Sequence, residues 1–113
     1  MLNEPTKEQL DEIPGLYETE NIPLMEKLIY LHFFIFGCDW YIAEYNGDDD
    51  TFFGFVILNL DYRSAEWGCI SFQELRDLKI WGVEIDREVD WKPCPAREID
   101  KIKKCFDFKN IEN

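Results

Sequence analysis

The chain is predicted to be an α+β domain, an antiparallel sheet of four to five strands with two or three short helices. Three observations predict it. Stretches rich in aromatic and β-branched residues recur between residues 27 and 91, several with the two-residue alternation of a pleated strand. Helix-start signatures stand at Thr6, Ser71 and Pro95. The 113 residues, 46% hydrophobic and 16% aromatic, suffice for one core and leave no room for a second, so residues 1–113 read as one domain.

The elements follow in order. Thr6-Lys7-Glu8-Gln9 fits a capping box, and Pro14 closes a short helix over residues 7–12. Pro14-Gly15 signals a turn, after which residues 16–21 are extended or looped. Residues 27–36 are apolar on both alternating faces, the pattern of a central strand covered on two sides. Residues 40–45 and 51–60 form a hairpin around Asn46-Gly47, with a loop prolonged by Asp48, Asp49 and Asp50. Residues 67–70 make a short strand. Ser71 then caps a helix with Glu74 at its third position, and Ile70 and Leu75 are spaced as a hydrophobic staple. Residues 83–91 alternate without a break. A last helix starts at Pro95 and runs to about residue 106, with Ile99, Ile102 and Phe106 inward and its acids ahead of its lysines, as the helix dipole favours.

Charge narrows the function. There are 24 acids against 12 bases, a net charge of -12. Residues 1–90 hold 20 acids and 6 bases, whereas residues 91–113 hold 4 and 6, so the acidity belongs to the body of the domain. Such a balance disfavours direct nucleic-acid binding and attraction to an anionic membrane, and favours encounter with a basic protein surface. It also serves plain solubility. No signal peptide or membrane-length apolar run is present, and the four cysteines show no metal-binding spacing. They read as reduced thiols of a cytoplasmic protein, although their even number leaves a disulfide open.

Candidate catalytic groups are few. His32, the single histidine, lies inside an apolar strand beside no evident Ser or Asp partner, so it reads as a structural core residue. Cys38 stands at a strand end and could be accessible, with no neighbouring cation in sequence to activate it. Residues 46–51 lack the ligand spacing of a calcium loop. No catalytic residue, metal or cofactor is expected. Tyr17, Trp40, Trp81 and Trp91 are candidate anchors for a partner, or else core residues.

The row Glu84, Asp86, Glu88, Asp90 is the most informative local feature. On one strand face these carboxylates would stand about 6.7 Å apart, and each neighbouring pair would repel by only about 0.6 kcal/mol in water. Such a row suits a solvated edge strand, and it equally suits a carboxylate ladder that imitates a nucleic-acid backbone in a basic groove. A mimic needs a second acidic line, for which Asp48, Asp49 and Asp50, or Asp61 and Glu66, are the candidates. Arg87 falls on the apolar face of the same strand and needs a carboxylate. Glu44, taken to share a face with Trp40 and Ile42, is the expected partner.

Five segments carry a resemblance. Ile13-Pro14-Gly15-Leu16-Tyr17-Glu18-Thr19-Glu20, Trp40-Tyr41-Ile42-Ala43-Glu44-Tyr45, Phe52-Phe53-Gly54-Phe55-Val56, residues 67–75 and residues 82–88 resemble, in order, motifs of the bacterial "domain of unknown function 2958" family. The likeness covers about residues 13–95. Cys69-Ile70 replaces the family's Tyr-Phe, and the last helix lies outside the match. The resemblance implies a protein carried by plasmids, phages or conjugative elements. Some relatives inhibit type II CRISPR effectors, which makes a Cas9-type nuclease the implied partner. No catalytic residue comes with it. Two functions are therefore expected as alternatives: an acidic inhibitor of a nucleic-acid-binding effector, or a small structural or regulatory adaptor that docks through aromatic surface.

Overall fold

Local hydrogen bonds start both short helices where the sequence puts them. The computed structural model describes residues 1–111, with side chains through residue 107. The Thr6 hydroxyl accepts from the Gln9 N–H while the Gln9 side chain accepts from the Thr6 N–H, and this reciprocal box opens α1 (Lys7–Asp11). Among the described residues nine strands follow: β1 (Leu28–Ile29), β2 (Leu31–Ile35), β3 (Cys38–Asn46), β4 (Thr51–Ile57), β5 (Glu66–Ser71), β6 (Lys79–Ile80), β7 (Val83–Glu84), β8 (Asp86–Arg87) and β9 (Cys94–Pro95). Between β5 and β6, the Ser71 hydroxyl accepts from the Glu74 N–H at the head of α2 (Phe72–Asp77), and Ile70 and Leu75 are buried in one cluster. A 3₁₀ turn at Ala96–Glu98 precedes α3 (Asp100–Ile111), so the last helix begins five residues after Pro95, later than expected.

The main sheet is antiparallel and five-stranded, in the order β5-β4-β3-β2-β8. The α+β expectation holds. β3 takes the centre, whereas β2 lies one strand from the edge. β4 stops at Ile57, because Asn59 and Leu60 turn at positive φ and take the chain away from β3. On one sheet face, Phe33, Trp40, Ile42 and Phe52 pack with Phe72 and Leu75 of α2. On the other, Tyr41, Phe55 and Ile57 pack with Ile99, Ile102 and Cys105. The core is thus split by the sheet into two layers.

Two irregularities decide where the charged residues go. The β3–β4 register slips between Ile42 and Glu44, a β-bulge that reverses the facing of every later side chain on β3. Gly54 permits it: a Cβ there would lie 2.0 Å from the Tyr41 carbonyl oxygen. Ile42 therefore stays on the α2 face, while Glu44 turns to the opposite face, across from Phe53. The second irregularity is a break at Ile85. β7 pairs with β6, and β8 pairs with β2, so residues 83–91 do not form one strand. Ile85 is fully buried, yet Val83 and Val89 are exposed. A two-residue alternation looks the same whether a run keeps one partner or changes it midway.

Candidate functional site

The predicted ladder does not exist as a row of free carboxylates. Because the run changes partner at Ile85, its acids meet different neighbours. The Met1 amino group donates to Glu84 Oε1 at 2.6 Å, and that hydrogen bond holds the Glu84 carboxyl below its usual range. Asn3 Nδ2 donates to Asp86 Oδ1 at 2.8 Å, and the Arg87 N–H donates to the same oxygen. Glu88 Oε1 lies 2.7 Å from His32 Nδ1. Asp90 is exposed and enters no ion pair among the described residues.

The acidic turn divides in the same way. Asp48 and Asp49 are exposed and without an ion pair among the described residues. Asp50 is turned inward at φ 53°, where it accepts from the Tyr45 hydroxyl and from Arg76 Nη1 at 3.0 Å. These two bonds hold the Asp50 carboxyl low. Burial, reinforced by the bond to Asp50, pushes the Tyr45 hydroxyl up to about 12. Arg76 also approaches Glu4 at 3.5 Å and lies over the Phe72 ring. Of the seven acids marked in the sequence, the structure leaves Asp48, Asp49 and Asp90 free to meet a partner, and engages Asp50, Glu84, Asp86 and Glu88 within the fold.

The expected Glu44–Arg87 pair is replaced by two separate arrangements. With Glu44 moved by the bulge, its carboxylate accepts from the Tyr17 and Thr19 N–H groups and from the Thr19 hydroxyl, and it lies 3.8 Å from Lys27 Nζ. Lys27 and Glu44 are both nearly inaccessible, and Lys27 also donates to the Thr19 carbonyl and hydroxyl. Arg87 stays on the α2 side, where its Nε donates to the Asn3 carbonyl at 2.7 Å.

His32 has the Asp neighbour that the sequence reading missed. Its Nε2 lies 2.7 Å from Asp39 Oδ1, its ring stacks on Tyr41 at 4.4 Å between centroids, and Lys101 Nζ donates to Asp39 Oδ2 at 3.0 Å. The hairpin register supplied the signal: Phe34 pairs with Asp39 and His32 with Tyr41, which sets Asp39 diagonally beside His32. Burial alone would raise the Asp39 carboxyl, but the bonds from His32 and Lys101 outweigh it and hold the group below its usual range. Burial also pushes the Tyr41 hydroxyl strongly upward. A carboxylate oxygen thus lies within hydrogen-bond reach of each ring nitrogen. Both nitrogens are engaged within the fold, and through Asp39 and Lys101 the arrangement ties α3 to the sheet.

Cys38 is buried, contrary to the accessible position its strand end suggested, and no disulfide joins cysteines among the described residues. Among the aromatic candidates, Trp40 is core and Trp91 is half-buried with its indole N–H donating to the Ile29 carbonyl. Tyr17 is 72% exposed and Trp81 91%. Trp81 and Gly82 form the tip of the β6–β7 hairpin, both at positive φ, and the Trp81 ring touches the exposed ring of Phe36 at 5.7 Å. Among the described residues no helix is long and apolar enough to cross a membrane, and no group of His, Cys, Asp or Glu could hold a metal ion. No family model, curated protein or solved structure matches the chain.

Proposed function

We propose that the chain is a non-catalytic acidic binding domain that docks on a basic protein surface and inhibits an effector that handles nucleic acid. The observation that carries this reading is the surplus of exposed acids left over once the fold's ion pairs are formed. Lys27, Arg76, Arg97 and Lys101 are drawn into ion pairs with the fold's own carboxylates, while Glu8, Asp11, Glu12, Asp48, Asp49 and Asp90 lie exposed. The net charge of -12 is therefore carried outward. A field of that sign speeds encounter with a basic surface and repels nucleic acid itself. The resemblance to the "domain of unknown function 2958" family makes a Cas9-type nuclease in the bacterial cytoplasm the target to test, with a mobile element as the source of the protein. The contact would be made by Asp48, Asp49 and Asp90 rather than by a continuous strand ladder.

The test is a DNA-cleavage assay on a Cas9–guide RNA complex with the purified chain added. Inhibition that fades as salt rises and falls in the Asp48→Asn/Asp49→Asn/Asp90→Asn variant supports the reading. Cleavage unaffected at stoichiometric excess removes the nuclease as target.

A second reading, a small structural or regulatory adaptor, is favoured by Trp81. A large indole at positive φ, almost wholly in solvent, does nothing for the hairpin that Asn would not do better, whereas tryptophan is enriched among binding hot spots. Under this reading Trp81→Ala abolishes capture of the partner, and neutralising the three aspartates does not.

A further inference from the structure

The open edge of the main sheet has the form of a docking site for an extended peptide. β5 is paired with β4 over six consecutive residue pairs without a bulge. Among the described residues it has no strand on its other side. In an antiparallel sheet the backbone N–H and C=O groups of alternate residues along such a strand point away from its one neighbour and ask for a partner. Natural edges are usually blunted by lysine, proline, a bulge or extreme shortness. β5 has no lysine, proline or bulge, and its one charge is Glu66 at the first position; it reads Glu66-Trp67-Gly68-Cys69-Ile70-Ser71.

The ground beside the edge is apolar on both faces. On one face a recess of about 410 Å³ is walled by Leu16, Ile22, Leu24 and Phe53. On the other a recess of about 280 Å³ is walled by Val56, Leu58, Ile70 and Leu78. Cys69 borders both. Ile22, Leu24, Leu58 and Leu78 all rank among the exposed large hydrophobic residues, so much of the exposed aliphatic surface flanks this one strand. A strand laid along β5 would send alternate side chains to opposite faces and so into both recesses, which is how strand addition gains specificity. Six residues of β5 match an added segment of about 20 Å.

Charge selects the occupant. Glu20 borders the first recess, Glu74 the second, and Asp61 and Glu66 line a third hollow next to Cys69. A second copy of the chain would bring its own net charge of -12 to the same edge, and that repulsion takes the place of the missing lysine as protection against self-pairing.

We infer that the β5 edge binds an extended, lysine- or arginine-bearing segment of a partner protein by strand addition. This inference rests on the acidic-binder reading for the charge of the occupant, and on the sheet edge alone for its conformation.

The experiment titrates the isotopically labelled full chain with three synthetic decapeptides, followed by NMR and amide hydrogen exchange. The first has a Val/Thr centre with lysines at both ends, the second carries glutamates in their place, and the third is the first N-methylated at alternate residues. The lysine peptide is expected to shift and protect β5 amides between Glu66 and Ser71, and to bind at least about tenfold more tightly than either of the others. Shifts confined to Trp81, Phe36 or the Asp48–Asp49 turn overturn the edge as the site while leaving the acidic reading intact. Equal binding of the glutamate peptide at β5 overturns the basic occupant and counts against the acidic reading as well. Absence of binding by all three overturns the inference. So does a chain dimer in sedimentation that dissociates when Cys69 is alkylated, because the edge would then belong to a second copy.

Discussion

Lys27 Nζ lies 3.8 Å from Glu44 Oε2, and both side chains are about 95% removed from solvent. The pair fastens the turn at Tyr17 and Thr19 to the centre of the sheet, because the same carboxylate accepts both of their N–H groups. Lys27→Met leaves the Glu44 charge buried and uncompensated and is expected to cost about 3–5 kcal/mol in urea unfolding. Arg87→Met loses a partly exposed bond to a carbonyl and is expected to cost about 1 kcal/mol. Equal losses in the two variants would contradict this assignment of partners.

Gly54→Ala is expected to cost about 3 kcal/mol or more, beyond an ordinary overpacking loss. The added methyl would meet the Tyr41 carbonyl, which no rotamer can avoid. Near-native stability in thermal unfolding would mean that the β3–β4 bulge does not need the glycine.

The Asp39 carboxyl is held below its usual range in the folded chain. A depressed folded value stabilises above the unfolded value of about 3.8 and is lost as pH falls through the folded one. At neutral pH, Asp39→Asn is expected to lose about 1–3 kcal/mol, because His32 and Lys101 lose a charged acceptor. The gap between parent and variant should narrow below about pH 4. A gap that is constant in acid would show that Asp39 is not ionised by the fold.

Trp81→Asn is expected to change stability by no more than about 0.5 kcal/mol, since Asn accepts the positive φ and little burial is lost. A larger loss would mean that the contact with Phe36 supports the fold, and would weaken the case for Trp81 as a docking residue.

Much of the fold was legible because its signals are local. Thr6 and Ser71 cap helices with bonds that reach only three residues, and the hairpin around Asn46-Gly47 is announced by its turn. The charged site was less legible for two reasons. The bulge after Ile42 depends on how closely Gly54 approaches the next strand, which strand alternation does not encode. The change of partner at Ile85 leaves the alternating pattern of residues 83–91 untouched while removing the strand it implied. Both errors moved charges: the first separated Glu44 from Arg87, and the second gave Glu84 to the amino terminus and Glu88 to His32. Trp81, one of the four aromatic anchors offered by the sequence, is the most exposed of them because it stands with Gly82 at a turn between two short strands.

Binding led by surface carboxylates is what the proposed function requires. Its most direct test is the affinity of the chain for a Cas9–guide RNA complex, measured at low and high salt with the parent and with the Asp48→Asn/Asp49→Asn/Asp90→Asn variant. The parent is expected to bind at low salt and to weaken steeply as salt screens its charge, and the variant to bind more weakly and with less sensitivity to salt. Tight binding that ignores both salt and the three substitutions would contradict it.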